Sequence, residues 1–315
     1  MDLAALPKVE LHCHLDGILD RAMLRDIVRT APDYPLYPVD FERAYPVYDL
    51  DSFITWFTLI QDFLERDLDL FRPILARYIS RLKAQNVHYA EIMIPFGTLP
   101  RDPSAAVDTL YAWREWVDEQ EQGVIQIEFM VAAGRNKPPE ELERQVDITL
   151  ALHAAGLVVG FALAGAPEQG YPVQPFHRSF ARLHEAGVGI EIHAGEWAGP
   201  ESVWDALTYG FPDRIGHGVA IFSDERLLAT VQERQLHIEM CPTSNLKTGS
   251  IAAIEHHPIG QARERNLDFS VNTDDPGPFE CSLTSEYELL VDRFGFDTGD
   301  FLKIYENSLN ARFGT

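Results

Sequence analysis

The chain has 315 residues, 46% hydrophobic and 24% charged, which is enough apolar material for a large core. Its formal net charge of −23 argues against binding to nucleic acid or an anionic membrane surface, and against a highly anionic substrate. Three cysteines cannot build a disulfide framework, and the opening Met1-Asp2-Leu3-Ala4-Ala5-Leu6-Pro7 lacks the basic start of a secretory signal, so a reducing cytoplasm is expected.

The first apolar run, Val9–His14, predicts a strand ending on His12-Cys13-His14. Alternation sends His12 and His14 to one side and Cys13 to the other. In a closed barrel both imidazoles point inward, and an apolar interior gives a pair of them no structural purpose. Ala31–Leu50 is rich in Pro and Tyr and lacks periodicity, whereas Asp51–Glu65 reads as an aromatic helix. Together they form a long excursion over the catalytic face before the second strand. Strands follow at Val87–Ile94, Ile125–Ala133, Val158–Leu163 and Val188–His193, alternating with helices at Pro103–Gln122, Pro138–Ala155 and Pro175–Ala186. The last three strands are Arg214–His217, Leu236–Cys241 and Phe269–Asn272, with helices at Gly199–Tyr209 and Asp224–Arg234 between them. Eight alternations predict a (β/α)8 TIM barrel with extra helices in the first excursion, as one domain over residues 1–315.

The polar motifs fall at the carboxyl ends of these strands, the face that carries barrel active sites. His12, His14 and His193 offer three nitrogens and Asp274 an oxygen, a set that suits one divalent cation with room for a water. Zinc is the first choice on ligand type, with iron or manganese behind it. Glu196, three residues after His193, reads either as a helix-start carboxylate or as a general acid that protonates a ring atom. His217, between Gly216 and Gly218, is placed to orient and deprotonate the metal's water, its glycines letting backbone approach a ligand. Asp275 is placed to accept a hydrogen bond from substrate. His88, His153, His177, His184, His256 and His257 read as solvent-facing or capped imidazoles, and His237 stands at the wrong end of its strand.

With these residues in hand the chain resembles the adenosine deaminase family of the amidohydrolase superfamily. The resemblance rests on Lys8-Val9-Glu10-Leu11-His12-Cys13-His14-Leu15-Asp16-Gly17, His193-Ala194-Gly195-Glu196, Arg214-Ile215-Gly216-His217-Gly218, Pro242-Thr243-Ser244-Asn245 and Asn272-Thr273-Asp274-Asp275-Pro276. It implies that His12, His14, His193 and Asp274 bind one Zn2+ per chain. Glu196 would protonate a purine ring nitrogen, and His217 would activate the water with help from Asp274. Asp275 and the Gly165 backbone would hold the base. Asp16, usual in adenosine deaminases where adenine deaminases carry Glu, would bind a sugar hydroxyl. The Leu50, Phe53, Ile54 and Phe57 stripe would cover the nucleoside, although a buried amphipathic face has the same spacing. Two departures stand out: Met93 replaces the family's arginine, and Ala162-Leu163-Ala164-Gly165-Ala166-Pro167 replaces Asp-Leu-Ala-Gly-Asp-Glu. They imply that an ion pair has become apolar packing.

The expected partner is therefore a small purine nucleoside, adenosine or 2′-deoxyadenosine, with no nucleic acid or membrane involved. Aminodeoxyfutalosine and free adenine are the alternatives within the class. A non-catalytic nucleoside-binding protein would not need Glu196, His217 and the donor set together. A binuclear barrel hydrolase would need a lysine at the end of the fourth strand, where Phe161–Gly165 stands.

Overall fold

The computed structural model describes residues 1–30, 45, 47–64, 68–165 and 170–315. Eight parallel strands run in chain order: β1 (Lys8–His14), β2 (Val87–Pro95), β3 (Gln126–Gly134), β4 (Gly160–Ala164), β5 (Gly189–Ala194), β6 (Arg214–His217), β7 (His237–Met240) and β8 (Phe269–Val271). The circle closes where Cys13 bridges Asp274 in parallel. There the His14 amide donates to the Asp274 carbonyl (3.0 Å) and the Asp274 amide to that of His12 (2.9 Å). This is the expected (β/α)8 barrel.

Local signals place the outer helices. Pro103–Glu121 starts where the Asp102 carboxylate accepts from the Ala105 amide and stops where Gln122 turns left-handed. Glu225–Arg234 starts and stops the same way, on Asp224 and Gln235. The aromatic helix before β2 spans Leu50–Leu64. Most of the Pro- and Tyr-rich run before it, and Glu65 after it, lie outside the described residues, as do Ala166 and Pro167. No helix among the described residues is long and apolar enough to cross a membrane.

β1 is irregular. Glu10 pairs with Ala90 and Cys13 with Ile92, so β1 spends one more residue than β2 over this stretch. Lys8 accordingly sits over the Tyr287 ring, in the outer helix Leu283–Phe294, while His12 and His14 reach the donor cluster. Cys13 meets Tyr78 of the outer helix Arg72–Ala84, on the side expected for it.

An apolar barrel interior was expected, and half of it is charged instead. Glu91, Glu191, Arg214 and Glu239 are all fully buried. Arg214 pairs with Glu91 (2.5 Å) and Glu239 (2.6 Å), while burial and the Glu239 charge push the Glu191 carboxyl well above the usual carboxylate range. Beside them Met93, Met130 and Ala162 form a separate apolar cluster, packed against Ala132, Val159 and Phe313. Met93 and Ala162 are thus absorbed in apolar packing, as their departure from the family pattern suggested.

Candidate active site

Strands β1 and β5 and the segment after β8 bring four donors together. Single atoms of His12, His14, His193 and Asp274 lie within 4.8 Å of one another. His14 Nε2 stands 3.2 Å from His193 Nε2, and Asp274 Oδ1 stands 3.4 Å from Nε2 of both His12 and His14. His12 Nε2 is buried with no hydrogen-bond partner, which a buried polar atom rarely tolerates unless something binds there. Burial holds His14 down to about 4 and His193 well below the ordinary histidine range, so both are neutral ligands at pH 7. Burial opposes a charge on His12 too, but the neighbouring Asp274 and Glu239 carboxylates outweigh it. A nitrogen that attracts a proton this strongly also suits a metal cation, and the three-imidazole, one-carboxylate set fits a divalent ion.

A carboxylate stands behind two of these histidines. His12 Nδ1 donates to Glu239 (2.6 Å) and His193 Nδ1 to Glu191 (3.0 Å). Such partners fix which nitrogen faces a metal. Sequence reasoning missed both, because a Glu inside a strand reads as solvent-facing when the interior is taken to be apolar. Gly216 makes room for Glu191 and His12: a Cβ there would stand 2.1 Å from Glu191 Oε1 and 2.9 Å from the His12 ring. Its role is to admit these side chains rather than to bring backbone to a ligand.

Glu196 and His217 are buried, with Glu196 Oε2 3.6 Å from His217 Nε2. Burial holds His217 down to about 3, so it is a neutral imidazole. Its tautomer follows from a chain of hydrogen bonds. The Ile259 amide donates to His257 Nδ1 (3.2 Å), which leaves the proton on His257 Nε2. That nitrogen donates to Asn245 Oδ1 (3.1 Å), and Asn245 Nδ2 in turn donates to His217 Nδ1 (3.1 Å). Neutral His217 then carries its proton on Nε2, facing Glu196. His257 is therefore no solvent-facing imidazole. It is buried beneath the site, reached by a loop with no motif to flag it. Ser244 donates to Asp274 Oδ2 (2.6 Å), giving the Pro242–Asn245 motif a second contact with the site.

Asp16 opens a turn after β1 (Asp16–Ile18) and Asp275 follows Asp274; both are buried. The Asp275 carboxylate lies where a Cβ on Gly17 would stand (1.9 Å). Burial and the charges of Asp274 and Asp16 raise its proton affinity well above the usual carboxylate range. Gly165 follows β4, across the mouth from β8, with a φ of +97° that side chains rarely adopt. Phe53 and Phe57 are half-buried, and Phe53 packs on Phe279 (5.2 Å), four residues beyond Asp275. Ile54 is exposed and Trp56 is the fully buried member among the described side chains of that helix, so the predicted stripe is buried only in part. Of the other histidines, His237 meets Asp268 at the far end of β7, and His88 and His177 bond Tyr305 and a backbone carbonyl.

Comparison with known proteins agrees with this geometry. The sequence pattern of the adenosine deaminase family matches residues 7–314. The aminodeoxyfutalosine deaminase of Streptomyces avermitilis is 32% identical over 320 residues, covering 99% of this chain and 87% of that protein. The adenine deaminase of Agrobacterium fabrum is 30% identical over 311 residues, covering 98% and 94%. An amidohydrolase from Burkhoderia ambifaria, solved with bound Zn, shares the fold at a TM-score of 0.82 and 24% identity, covering 99% of this chain and 87% of that one. Since the match runs from before β1 to beyond the last helix, the chain belongs to the adenosine deaminase family and is a metal-dependent hydrolytic deaminase of purine compounds.

Proposed function

We propose that this deaminase acts on aminodeoxyfutalosine, an adenine nucleoside, in preference to adenosine. The observation that carries this reading is Asp16. It is a buried carboxylate at the turn after β1, beside Asp275, where the family resemblance puts recognition of a sugar. Of the two relatives described above, one acts on a sugar-bearing compound, and it is the slightly more similar. Free adenine is the second reading, favoured by the relative from Agrobacterium fabrum.

His12, His14, His193 and Asp274 would hold the cation. Zinc suits three imidazoles and a carboxylate and is the metal in the Burkhoderia ambifaria structure. The metal would supply Lewis acidity to the attacking water. Glu196 donates a proton to the purine ring nitrogen, which makes the amino-bearing carbon electrophilic. Neutral His217 donates from Nε2 to the attacking oxygen, so taking up the water's proton falls to Asp274, whose ionisation burial opposes and the adjacent His12 favours. Asp275 and the Gly165 backbone hold the base, Asp16 holds the sugar, and Phe53 and Phe57 cover it.

The test is ammonia release by the zinc-loaded protein from aminodeoxyfutalosine, adenine, adenosine and deoxyadenosine. The highest kcat/KM is expected on aminodeoxyfutalosine, and Asp16→Ala should lower it far more than it lowers turnover of adenine. Adenosine as the preferred substrate would defeat the aminodeoxyfutalosine reading, and a preference for adenine, or equal losses in Asp16→Ala, would defeat the sugar-binding reading.

A further inference from the structure

Residues Ala311–Gly314 fill the amino-terminal mouth of the barrel, opposite the site. The Phe313 amide donates to Glu91 Oε1 (2.7 Å), and its ring lies 3.5 Å from the Arg214 guanidinium. The Ala311 carbonyl accepts from Arg214 Nη1 (3.1 Å), and the Gly314 amide donates to the Tyr89 hydroxyl (3.0 Å). The strands are cut to fit this ring. A Cβ on Gly189, which opens β5, would stand 2.3 Å from it, and one on Gly160, which opens β4, 2.7 Å. Arg214, gripped from below, bridges Glu91 and Glu239, and Glu239 accepts from His12 Nδ1 (2.6 Å). The other nitrogen of His12 is the orphaned one in the donor cluster.

We propose that Phe313 is a positioning residue for the metal: it orients Arg214, Arg214 orients Glu239, and Glu239 orients His12, so the closed mouth of the barrel sets affinity at the open one. A planar guanidinium that grips two carboxylates has one workable orientation. An aromatic face against it excludes the tilts that would pull Glu239 off His12. The inference rests on the reading of His12 as a ligand.

The experiment uses the full chain stripped of metal, with zinc alone as probe, titrated against a chromophoric chelator. Phe313→Ala is expected to lower zinc affinity about tenfold or more, the usual scale for partners that orient a ligand. Phe313→Tyr, which keeps a ring on the guanidinium, should recover most of it. Arg214→Lys, which keeps the charge but not the fork, should lose affinity as well. Phe180→Ala removes a fully buried ring from the outer layer, where it meets Phe161. It should lower Tm and leave zinc affinity alone. Parental affinity in Phe313→Ala, or an equal loss in Phe180→Ala, would overturn the proposal. Should Phe313→Ala fail to fold, Phe313→Leu replaces it with the same two outcomes. A parent chain that binds no zinc would instead overturn the metal reading itself.

Discussion

The two walls of the barrel interior differ in kind. One carries Glu191, Arg214, Glu239 and His12, from β5, β6, β7 and β1, with Glu91 reaching in from β2. The other carries Met93, Met130, Ala132 and Ala162, from β2, β3 and β4. The charged wall lies directly behind the donor cluster and touches two of its histidines. The apolar wall offers no carboxylate to a donor histidine and meets the charged wall at Arg214, through Met130 (3.4 Å) and Phe313. A barrel core therefore need not be uniform: charge is retained where it orients a functional group, and apolar packing serves equally well where it does not.

The largest effect that sharpens this contrast lies at the mouth of the charged wall. Glu196→Gln should keep fold and bound metal while turnover falls about 10²–10⁴-fold, the range for loss of a general acid. Metal analysis alongside steady-state rates checks it, and near-parental turnover would remove Glu196 from the chemistry.

Within the wall, Glu239→Gln leaves Arg214 short of one buried counter-charge and His12 without a charged acceptor. Urea unfolding should register about 3–5 kcal/mol, the scale for breaking a buried pair, together with weaker zinc binding. On the apolar wall, Met93→Ala should cost about 2–5 kcal/mol through its cavity and lower zinc affinity much less than Glu239→Gln, since it reaches Arg214 only through its packing cluster, by way of Met130 and Phe313. Equal losses of zinc affinity in the two variants would mean that the walls are not separate.

The smallest effect concerns pH. Burial holds His257 down to about 3, below its ordinary 6.5, so the unfolded chain takes up the proton first. Its contribution to stability is complete above pH 6.5 and is lost as pH falls from there toward 3. His257→Gln, which can still bond Asn245, should make Tm fall less steeply between pH 7 and pH 5 than in the parent. Parallel curves would show that His257 carries no part of the acid sensitivity.

Much of this was legible in the sequence, because strand alternation and Pro- or Asp-initiated helices are local signals. His12 and His14 share a side as period two requires, and Cys13 meets the helix layer at Tyr78. The extra residue between Glu10 and Cys13 was not legible, since it exists only relative to the register of β2. Glu191 and Glu239 were hidden by the assumption that charge in a strand faces water. His257 was hidden because it meets Asn245 from a loop twelve residues on. The one usable signal was Arg214, a charge inside a run otherwise short and apolar, since an arginine so placed needs carboxylates nearby.

His217, at the end of β6, and Asp274, three residues beyond β8, both have a φ of +62°. Only glycine occupies that region freely, and other residues there carry a cost of about 1–3 kcal/mol. Glycine at either position would relieve the backbone and remove a side chain from the site. Six residues outside the site, Asn86, Gln122, Phe211, Gln235, Asn266 and Glu280, share that conformation without such a side-chain duty. At 217 and 274 glycine would also strand the buried partners Asn245 and Ser244. Libraries screened only for heat resistance should therefore accumulate glycine at the six outer positions and leave 217 and 274 as they are.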